Sequence, residues 1–233
     1  MDAIDEVSLD GEWLGRRYLW DISPDVMRCT ADRDRLAPDL VHVNFIEKRH
    51  NQHRATLCNI NGTREGAIVS LETGAILQRG LSLPHDGCFH ENSFYVTSTG
   101  SSELFIYDAT TDAPDLDMKP AAVVPIEVTD PEWDSGNQWV RGVCVSDKFI
   151  IVGVTQFRDE TADPKACLAP PRLVVLDKQT KKQLGDIFLP TTKGFANSCI
   201  YSIFPLGDLG QEAVDFPVGV PLRTPINRTS GRN

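Results

Sequence analysis

The sequence has 233 residues, a mass of 25.8 kDa and a hydrophobic content of 41%, which is enough for a single well-buried domain spanning residues 1–233. Its formal net charge is -10 and its isoelectric point is near 4.9, with Lys and Arg scattered along the chain. Nucleic-acid-binding proteins usually carry a basic stripe, so this charge argues against nucleic acid as a partner.

Two further absences in the sequence bear on location. The amino terminus is acidic and lacks the apolar core of a secretory signal, and no run of about 18 apolar residues occurs. We therefore expect a cytoplasmic protein without a membrane partner. The six cysteines show no C-x-x-C spacing, and the sequence predicts small buried side chains in a reducing compartment instead of a disulfide framework or zinc site. They are Cys29, Cys58, Cys88, Cys144, Cys167 and Cys199.

The first predicted strands cover residues 7–9 and 13–19, and they resemble the later strands of a blade. We therefore expect the chain to begin in mid-blade, so that residues 197–204, with residues 213–220, complete that blade and close a ring. The alternative is a shortened piece of a larger ring, whose exposed edges would need a partner such as a second copy. Residues 23–40 are polar with prolines at both ends, which predicts a connecting loop.

Three complete units of four strands follow. In the first, we predict strands at residues 41–46, 55–60, 67–71 and 75–79, with a hairpin turn at Asn61-Gly62. In the second, we predict strands at residues 84–89, 93–97, 103–107 and 121–128, with Pro125 tolerated because the last strand is a sheet edge. In the third, they are at residues 140–145, 149–155, 173–176 and 183–189. Residues 221–233 are predicted to form a disordered tail.

The strands recur in a fixed pattern. The third strand is an apolar run, an acid and a turn, as in IVSLETGAIL, LFIYDATTDA, LVVLDKQTKKQL and, at the start, VSLDGEWLG. The first strand recurs as VHVNFI, PHDGCF, WVRGVCV and NSCIYSIF, at intervals of roughly 43 to 58 residues, which suits blades of about 40 to 50 residues plus insertions. We predict an all-β fold, a β-propeller of four-stranded antiparallel blades with about four blades, or part of a larger ring.

Polar residues stand where the first strands begin. Long loops at residues 130–138, 157–171 and 191–196 lie on the same predicted face, and such loops usually bear the binding site. The other face holds short turns, apart from residues 47–54, and carries His50 and His53. We expect the polar residues to converge at the channel mouth, although residues at strand ends also serve simply to satisfy loop backbone. They are His42, Asn44, His85, Asp86, Trp139, Arg141, Asn197 and Ser198.

The same residues are compatible with three kinds of chemistry. His42 and His85, with oxygen from Asn44 and Asp86, would suit a divalent metal ion. Without metal, His85 would act in acid-base catalysis with Arg141 stabilising an anion, but neighbours on a strand point to opposite sides, so Asp86 is expected to turn away from His85 unless the strand starts in a loop. The third hypothesis is a non-catalytic scaffold that recognises partners through Trp133, Trp139 and residues 157–171.

Four segments, LAPDLVHVN, RGLSLPHDGCFHENSFYVTSTGSSEL, WVRGVCVSDKFIIVGVTQFRD and RLVVLDKQT, resemble a family of uncharacterised bacterial propeller-like proteins. A His-x-Asn step, a Pro-His step and an Arg-Gly step come in the same order there. The resemblance covers roughly residues 35–207, although family members are longer at the amino end. It implies the fold and the positions His42, Asn44, His85 and Arg141, and it implies no reaction.

These patterns predict a protein that binds a small molecule at the channel mouth. We expect an enzyme of hydrolase or cyclase type that acts on a polar or anionic metabolite, with a non-catalytic ligand- or protein-binding propeller as the alternative. His85, Asp86, Arg141 and His42 are the predicted catalytic residues. The predicted substrate-binding residues are Asn44, Trp139, Asn197 and Ser198.

Overall fold

The computed structural model describes residues 3–8, 10–18, 42–49, 52–60, 65–109, 119–127, 138–156, 170–189, 200 and 202–203. These residues form fourteen strands and no helix. No helix long and apolar enough to span a membrane therefore occurs in this part of the chain. The predicted loops and tail at residues 23–40, 130–137, 157–169, 191–196 and 213–233 lie outside the described residues.

The strands form one hairpin and three four-stranded sheets. The hairpin consists of β1 (Ala3–Val7) and β2 (Trp13–Tyr18), which pair antiparallel. Val7, Trp13 and Leu14 are exposed on it, so its apolar side chains have no cover from the described part of the chain. Closure of this hairpin by later strands, or by a second copy, stays a prediction.

Each of the three sheets is a four-stranded antiparallel meander, and we call them blades 1, 2 and 3. Neighbouring strands in every sheet are also consecutive in sequence. This confirms the predicted fold class, all-β with four-stranded blades of the β-propeller kind. Blade 1 consists of β3 (Val43–Arg49), β4 (Gln52–Ile60), β5 (Glu65–Ser70) and β6 (Ile76–Ser82). Blade 2 consists of β7 (Pro84–His90), β8 (Ser93–Ser98), β9 (Glu103–Asp108) and β10 (Pro120–Pro125). Blade 3 consists of β11 (Gln138–Val145), β12 (Phe149–Gln156), β13 (Arg172–Asp177) and β14 (Gln183–Phe188).

The chain divides into two compact units. The first comprises residues 1–101 and 105–122 and holds the hairpin, blade 1 and most of blade 2. The second comprises residues 102–104 and 123–233 and holds blade 3.

Blade 1 is apolar on both faces because successive side chains of a strand point to opposite sides. On one face, Ala67 and Val69 of β5 pack with Ala55 and Leu57 of β4. On the other, the intervening Ile68 packs against blade 2 in a cluster of buried side chains. That cluster consists of Ile68, Leu77, Leu81, Phe94, Val96, Tyr107 and Ala109. Face-to-face packing of this kind is how blades bury surface that a single short sheet cannot.

Gly66 lies where the two blades in the first unit approach each other closely. A Cβ atom at this position would lie 2.0 Å from Cδ of Pro84, the first residue of β7. Because a contact that short cannot be relieved by a rigid proline ring, only glycine fits here.

The predicted long turn at residues 47–54 is wrong. β3 continues to Arg49 and β4 begins at Gln52, with Arg49 paired to Gln52. The charged run EKRHNQHR did not indicate strands, because β3 is only partly buried and its exposed positions accept charged side chains. Of the cysteines predicted to be buried, Cys58 and Cys144 are buried thiols, whereas Cys88 is only half-buried. Burial raises the pKa of the Cys144 thiol.

Candidate functional site

The first strand of each of the three blades contains a β-bulge. In blade 1, Val43 pairs with Leu57 but Phe45 pairs with Thr56, so Asn44 is the extra residue. A bulge redirects the side chains beside it and is frequent next to functional sites. Of the predicted polar residues, Asn44, His85 and Asp86 stand in these bulges and Arg141 stands beside one.

The bulge of blade 2 contains His85 and Asp86. Pro84 pairs with Ser98 and Gly87 pairs with Val96, so two residues face the single residue Thr97. The bulge of blade 3 is next to Arg141. Arg141 pairs with Gly153, whereas Val143 pairs with Val152. Gly142 is the extra residue there, and its φ of 73° is in the left-handed region that favours glycine.

His85 and Asp86 form a buried pair, which corrects the expectation that Asp86 turns away from His85. His85 Nδ1 lies 2.6 Å from Asp86 Oδ2, and the two side chains are 11% and 3% exposed. Alternation of side chains along a strand holds only while the pairing is regular. The bulge breaks that alternation and turns both side chains to one side.

Backbone contacts from both blades fix this pair. The backbone N–H of Asp86 donates to Thr97 Oγ1 at 3.1 Å. The hydroxyl of Thr56, from blade 1, donates to the backbone carbonyl of His85. Both threonines are buried. The position of the imidazole is therefore determined by side chains of two blades.

The geometry leaves the second ring nitrogen of His85 available. A carboxylate next to Nδ1 favours the tautomer that carries its proton on Nδ1 and its lone pair on Nε2. Within the described part of the chain, Nε2 makes no hydrogen bond, and the side chain keeps 11% of its surface exposed. The pair can accept a proton at Nε2 and stabilise the resulting charge through Asp86.

Asn44 connects the two blades. Its Nδ2 donates to the backbone carbonyl of Pro84 at 2.7 Å and lies 2.7 Å from Cys58 Sγ. The thiol of Cys58 donates to the same carbonyl at 3.4 Å. The amide nitrogen of Asn44 thus hydrogen-bonds a backbone carbonyl at a strand end. This is the role that the sequence allowed as the alternative to ligand binding.

His42 stands immediately before β3 with an exposed side chain. Its φ is 48°, and Leu83, immediately before β7, has a φ of 51°. Both blades of the first unit therefore begin their first strand from a left-handed residue. Among the described residues, no group of three His, Cys, Asp or Glu ligand atoms includes His42 or His85, so a metal site at these histidines stays a prediction.

Trp139 and Arg141 belong to the second unit. They are two residues apart on β11 and so share a side of the strand, and the guanidinium carbon of Arg141 lies 4.1 Å from the centroid of the Trp139 ring. This distance is typical of a cation–π contact. Convergence of Arg141 with His85 stays a prediction, and Asn197 and Ser198 lie outside the described residues.

The second unit holds a buried ion pair that the sequence did not predict. Arg172 Nε lies 2.9 Å from Asp186 Oδ2, and the side chains are 3% and 0% exposed. Arg172 also donates to Gln138 Oε1 at 2.8 Å, and Gln183 donates to Asp186 Oδ1 at 2.9 Å. Burial lowers the pKa of Arg172, although the carboxylate of Asp186 opposes that shift. The network joins β11, β13 and β14.

A second His–carboxylate pair lies at the opposite end of blade 1 from His42. His53 Nδ1 is 2.6 Å from Glu72 Oε1, and the backbone N–H of His53 donates to the same oxygen at 2.8 Å. The pair borders a pocket of about 160 Å³ that is also lined by Arg54. The sequence placed His53 on this face, but nothing in it indicated that Glu72, in the turn after β5, would reach across to β4.

The sequence matches no known protein family and no curated protein. The resemblance to a bacterial propeller-like family therefore stays a prediction. Among solved structures, the chain is similar to the WD40 domain of Neurospora crassa Pan2, with 8% identity and a TM-score of 0.44, over 81% of this chain and 47% of that one. It is also similar to the computationally designed Ika4 protein, with 9% identity and a TM-score of 0.34, over 67% of this chain and 96% of that one. The fold assignment rests on the strand pairing described above.

Proposed function

We propose that this protein binds a small polar or anionic metabolite at the His85–Asp86 pair and acts on it as an enzyme of hydrolase or cyclase type. The observation that carries the proposal is the buried pair itself, held in a bulge with His85 Nε2 available. A neutral imidazole oriented by a carboxylate is a common general base near neutral pH.

The proposed reaction begins with a proton that is transferred to the lone pair of His85 Nε2. His85 removes it from a bound water or from a hydroxyl of the metabolite, and the resulting oxygen nucleophile attacks an electrophilic carbon or phosphorus. Asp86 accepts the Nδ1–H hydrogen bond throughout and stabilises the imidazolium. The protonated ring then returns the proton to the leaving group. Positioned acid-base catalysis of this kind typically contributes about 10²- to 10⁴-fold in rate.

Arg141 is the group that we propose for the negative charge of the metabolite. Contact with Trp139 restricts the guanidinium plane, and a planar guanidinium binds carboxylate or phosphate oxygens with two parallel hydrogen bonds. The acidic composition supports the proposal that neither nucleic acid nor a membrane is a partner. We propose a bacterial, cytoplasmic protein.

The alternative is a non-catalytic ligand- or protein-binding propeller. The structural role of Asn44 favours it, since one of the predicted binding groups serves to join blades 1 and 2. The two functions differ in one measurable property: a scaffold has no turnover that depends on His85.

The experiment measures hydrolysis of p-nitrophenyl acetate, p-nitrophenyl phosphate and γ-butyrolactone by the purified chain. We expect at least one to be turned over, with His85→Gln and Asp86→Asn each reducing kcat/KM by about 10²-fold or more. Arg141→Ala is expected to raise KM for the anionic probe alone. His53→Gln, which alters the other His–carboxylate pair, serves as the matched control and leaves turnover intact. Equal activity of the His85→Gln variant and the parent would favour the scaffold.

A further inference from the structure

The pocket beside His53 and Glu72 has no part in the proposed reaction. It lies at the end of blade 1 where β3 turns into β4, whereas the His85–Asp86 pair stands at the start of β7, level with the opposite end of β3. Both belong to the first unit. We propose that this pocket is a separate binding site for a small α-amino or α-hydroxy monocarboxylate.

Arg54 supplies the group that would bind the carboxylate. It lines the pocket and is only 6% exposed. Its guanidinium carbon lies 4.9 Å from the Phe89 ring centroid and 5.3 Å from that of Phe94. Two aromatic rings restrict the guanidinium to one plane, and all its N–H donors lie in that plane. A preorganised, poorly hydrated guanidinium is the typical protein partner of a carboxylate.

Glu72 supplies the acceptor for the second group of the ligand. Its Oε1 is occupied by the ring and backbone of His53. Its Oε2 accepts a single hydrogen bond from the described residues, a long one of 3.3 Å from Ser70 Oγ. Burial alone would raise the pKa of Glu72, but the hydrogen bonds from His53 outweigh it and hold that pKa below its ordinary value. Glu72 is therefore an anion at neutral pH and favours an ammonium or hydroxyl donor.

The size and charge of the pocket select the ligand class. About 160 Å³ is well below the roughly 300 Å³ of pockets for drug-sized molecules. Glu72 disfavours phosphate and dicarboxylates, because the second negative charge of such a ligand would lie next to the Glu72 carboxylate. Leu77 provides an apolar wall for a short side chain. A carboxylate and a donor on adjacent atoms, with at most a small alkyl group, satisfy all three conditions.

The test titrates the full chain with L-alanine, L-lactate, acetate and phosphate, followed by isothermal titration calorimetry and by the NMR shifts of the His53 ring. We expect L-alanine and L-lactate to bind at least about tenfold more tightly than acetate, because their ammonium or hydroxyl group adds one charge-assisted hydrogen bond to Glu72. Phosphate is expected not to bind. Glu72→Gln should reduce that preference to less than about threefold, and His85→Gln should leave it unchanged.

Three results would overturn the proposal: no saturable binding of alanine or lactate by the folded parent protein, an unchanged preference in Glu72→Gln, or loss of binding in His85→Gln. Arg54→Lys is a second probe of the carboxylate position, and we expect it to weaken acetate and alanine by the same factor. Thermal melting of each variant separates loss of the site from loss of the fold. The hydrolysis assay reports on His85 alone, so either proposal can fail without the other.

Discussion

The two most buried acid-containing pairs among the described residues, His85–Asp86 in the first unit and Arg172–Asp186 in the second, differ in what surrounds them. Both distances are below 3 Å, at 2.6 and 2.9 Å. Arg172–Asp186 is extended by two glutamines into a network that connects three strands. His85–Asp86 stands at a strand start, and His85 Nε2 makes no hydrogen bond to the described part of the chain.

This difference separates a pair with a structural role from the pair that we propose to be functional. The desolvation cost of a buried ion pair is offset only when further hydrogen bonds reach its two groups, and Gln138 provides one to Arg172 and Gln183 one to Asp186. A pair intended for proton transfer must instead leave one position open to the substrate. We therefore expect substitutions at Arg172–Asp186 to affect mainly stability, and those at His85–Asp86 to affect mainly activity.

The largest expected effect is that of Arg172→Met. The variant leaves the carboxylate of Asp186 buried without its cation, so we expect a loss of about 3–5 kcal/mol in the free energy of unfolding. Urea denaturation measures it, and Arg172→Met combined with Asp186→Leu is the control. The double variant should recover most of the stability, because replacing both charges removes the desolvation cost. A loss below about 1 kcal/mol in the single variant would show that the network is not structural.

A smaller effect is expected for Thr97→Val, which tests the bulge around His85. The substitution conserves shape but removes the hydroxyl that accepts the Asp86 N–H. Losing one buried hydrogen-bond partner costs about 1–3 kcal/mol, and we expect the position of His85 to be disturbed as well. Thr97→Ser keeps the hydroxyl and is the matched control. If both variants lose equal stability, packing of the Thr97 methyl group and not the hydrogen bond maintains the bulge.

Asp86→Asn is expected to change the free energy of unfolding by only about 1 kcal/mol. We expect it to convert the His85 imidazole to the other tautomer. An asparagine amide donates to Nδ1, so the ring proton moves to Nε2 and the lone pair there is lost. The ¹⁵N chemical shifts of His85 report the tautomer directly, with His53 in the same spectra as an internal reference. A tautomer that is the same in the parent protein and in the variant would contradict the proposed role of Asp86.

Strand positions were predictable because they depend on local sequence. Short apolar runs between turn residues gave residues 149–155 for a strand that covers Phe149–Gln156, and residues 93–97 for one that covers Ser93–Ser98. Such runs have few alternatives once the blade repeat is recognised. The charged hairpin after β3 was missed because a partly buried strand carries no clear apolar alternation.

The chemistry of the site was less predictable because it depends on β-bulges, where the pairing of two strands is irregular. Regular alternation would have separated His85 from Asp86, and only the pairing with β8 shows that both face Thr97. The contact of His53 with Glu72 likewise depends on how β4 lies against the turn after β5. The sequence could identify which residues were unusual, but their pairing is a property of the folded sheets.

The smallest expected effect is the contribution of Glu72 to stability at low pH, and it distinguishes this second His–carboxylate pair from the two buried ones. The pKa of Glu72 lies below its ordinary value of 4.5 because hydrogen bonds from His53 outweigh the effect of burial. A carboxyl group whose pKa is lower in the folded state than in the unfolded state stabilises the fold above its unfolded pKa. That contribution is lost as the pH falls through the folded value.

We therefore expect the difference in melting temperature between the parent protein and Glu72→Gln to be constant from pH 7 to about pH 5 and to shrink as the pH is lowered to 3. The side chains are 39% and 36% exposed, so solvent screening keeps the difference small, within about 1 kcal/mol. His53→Gln should show the same pH dependence if the imidazole is the cause. A difference that grows as the pH falls would mean that Glu72 is stabilised in its protonated form, and the acceptor proposed for the ligand's ammonium or hydroxyl group would not exist.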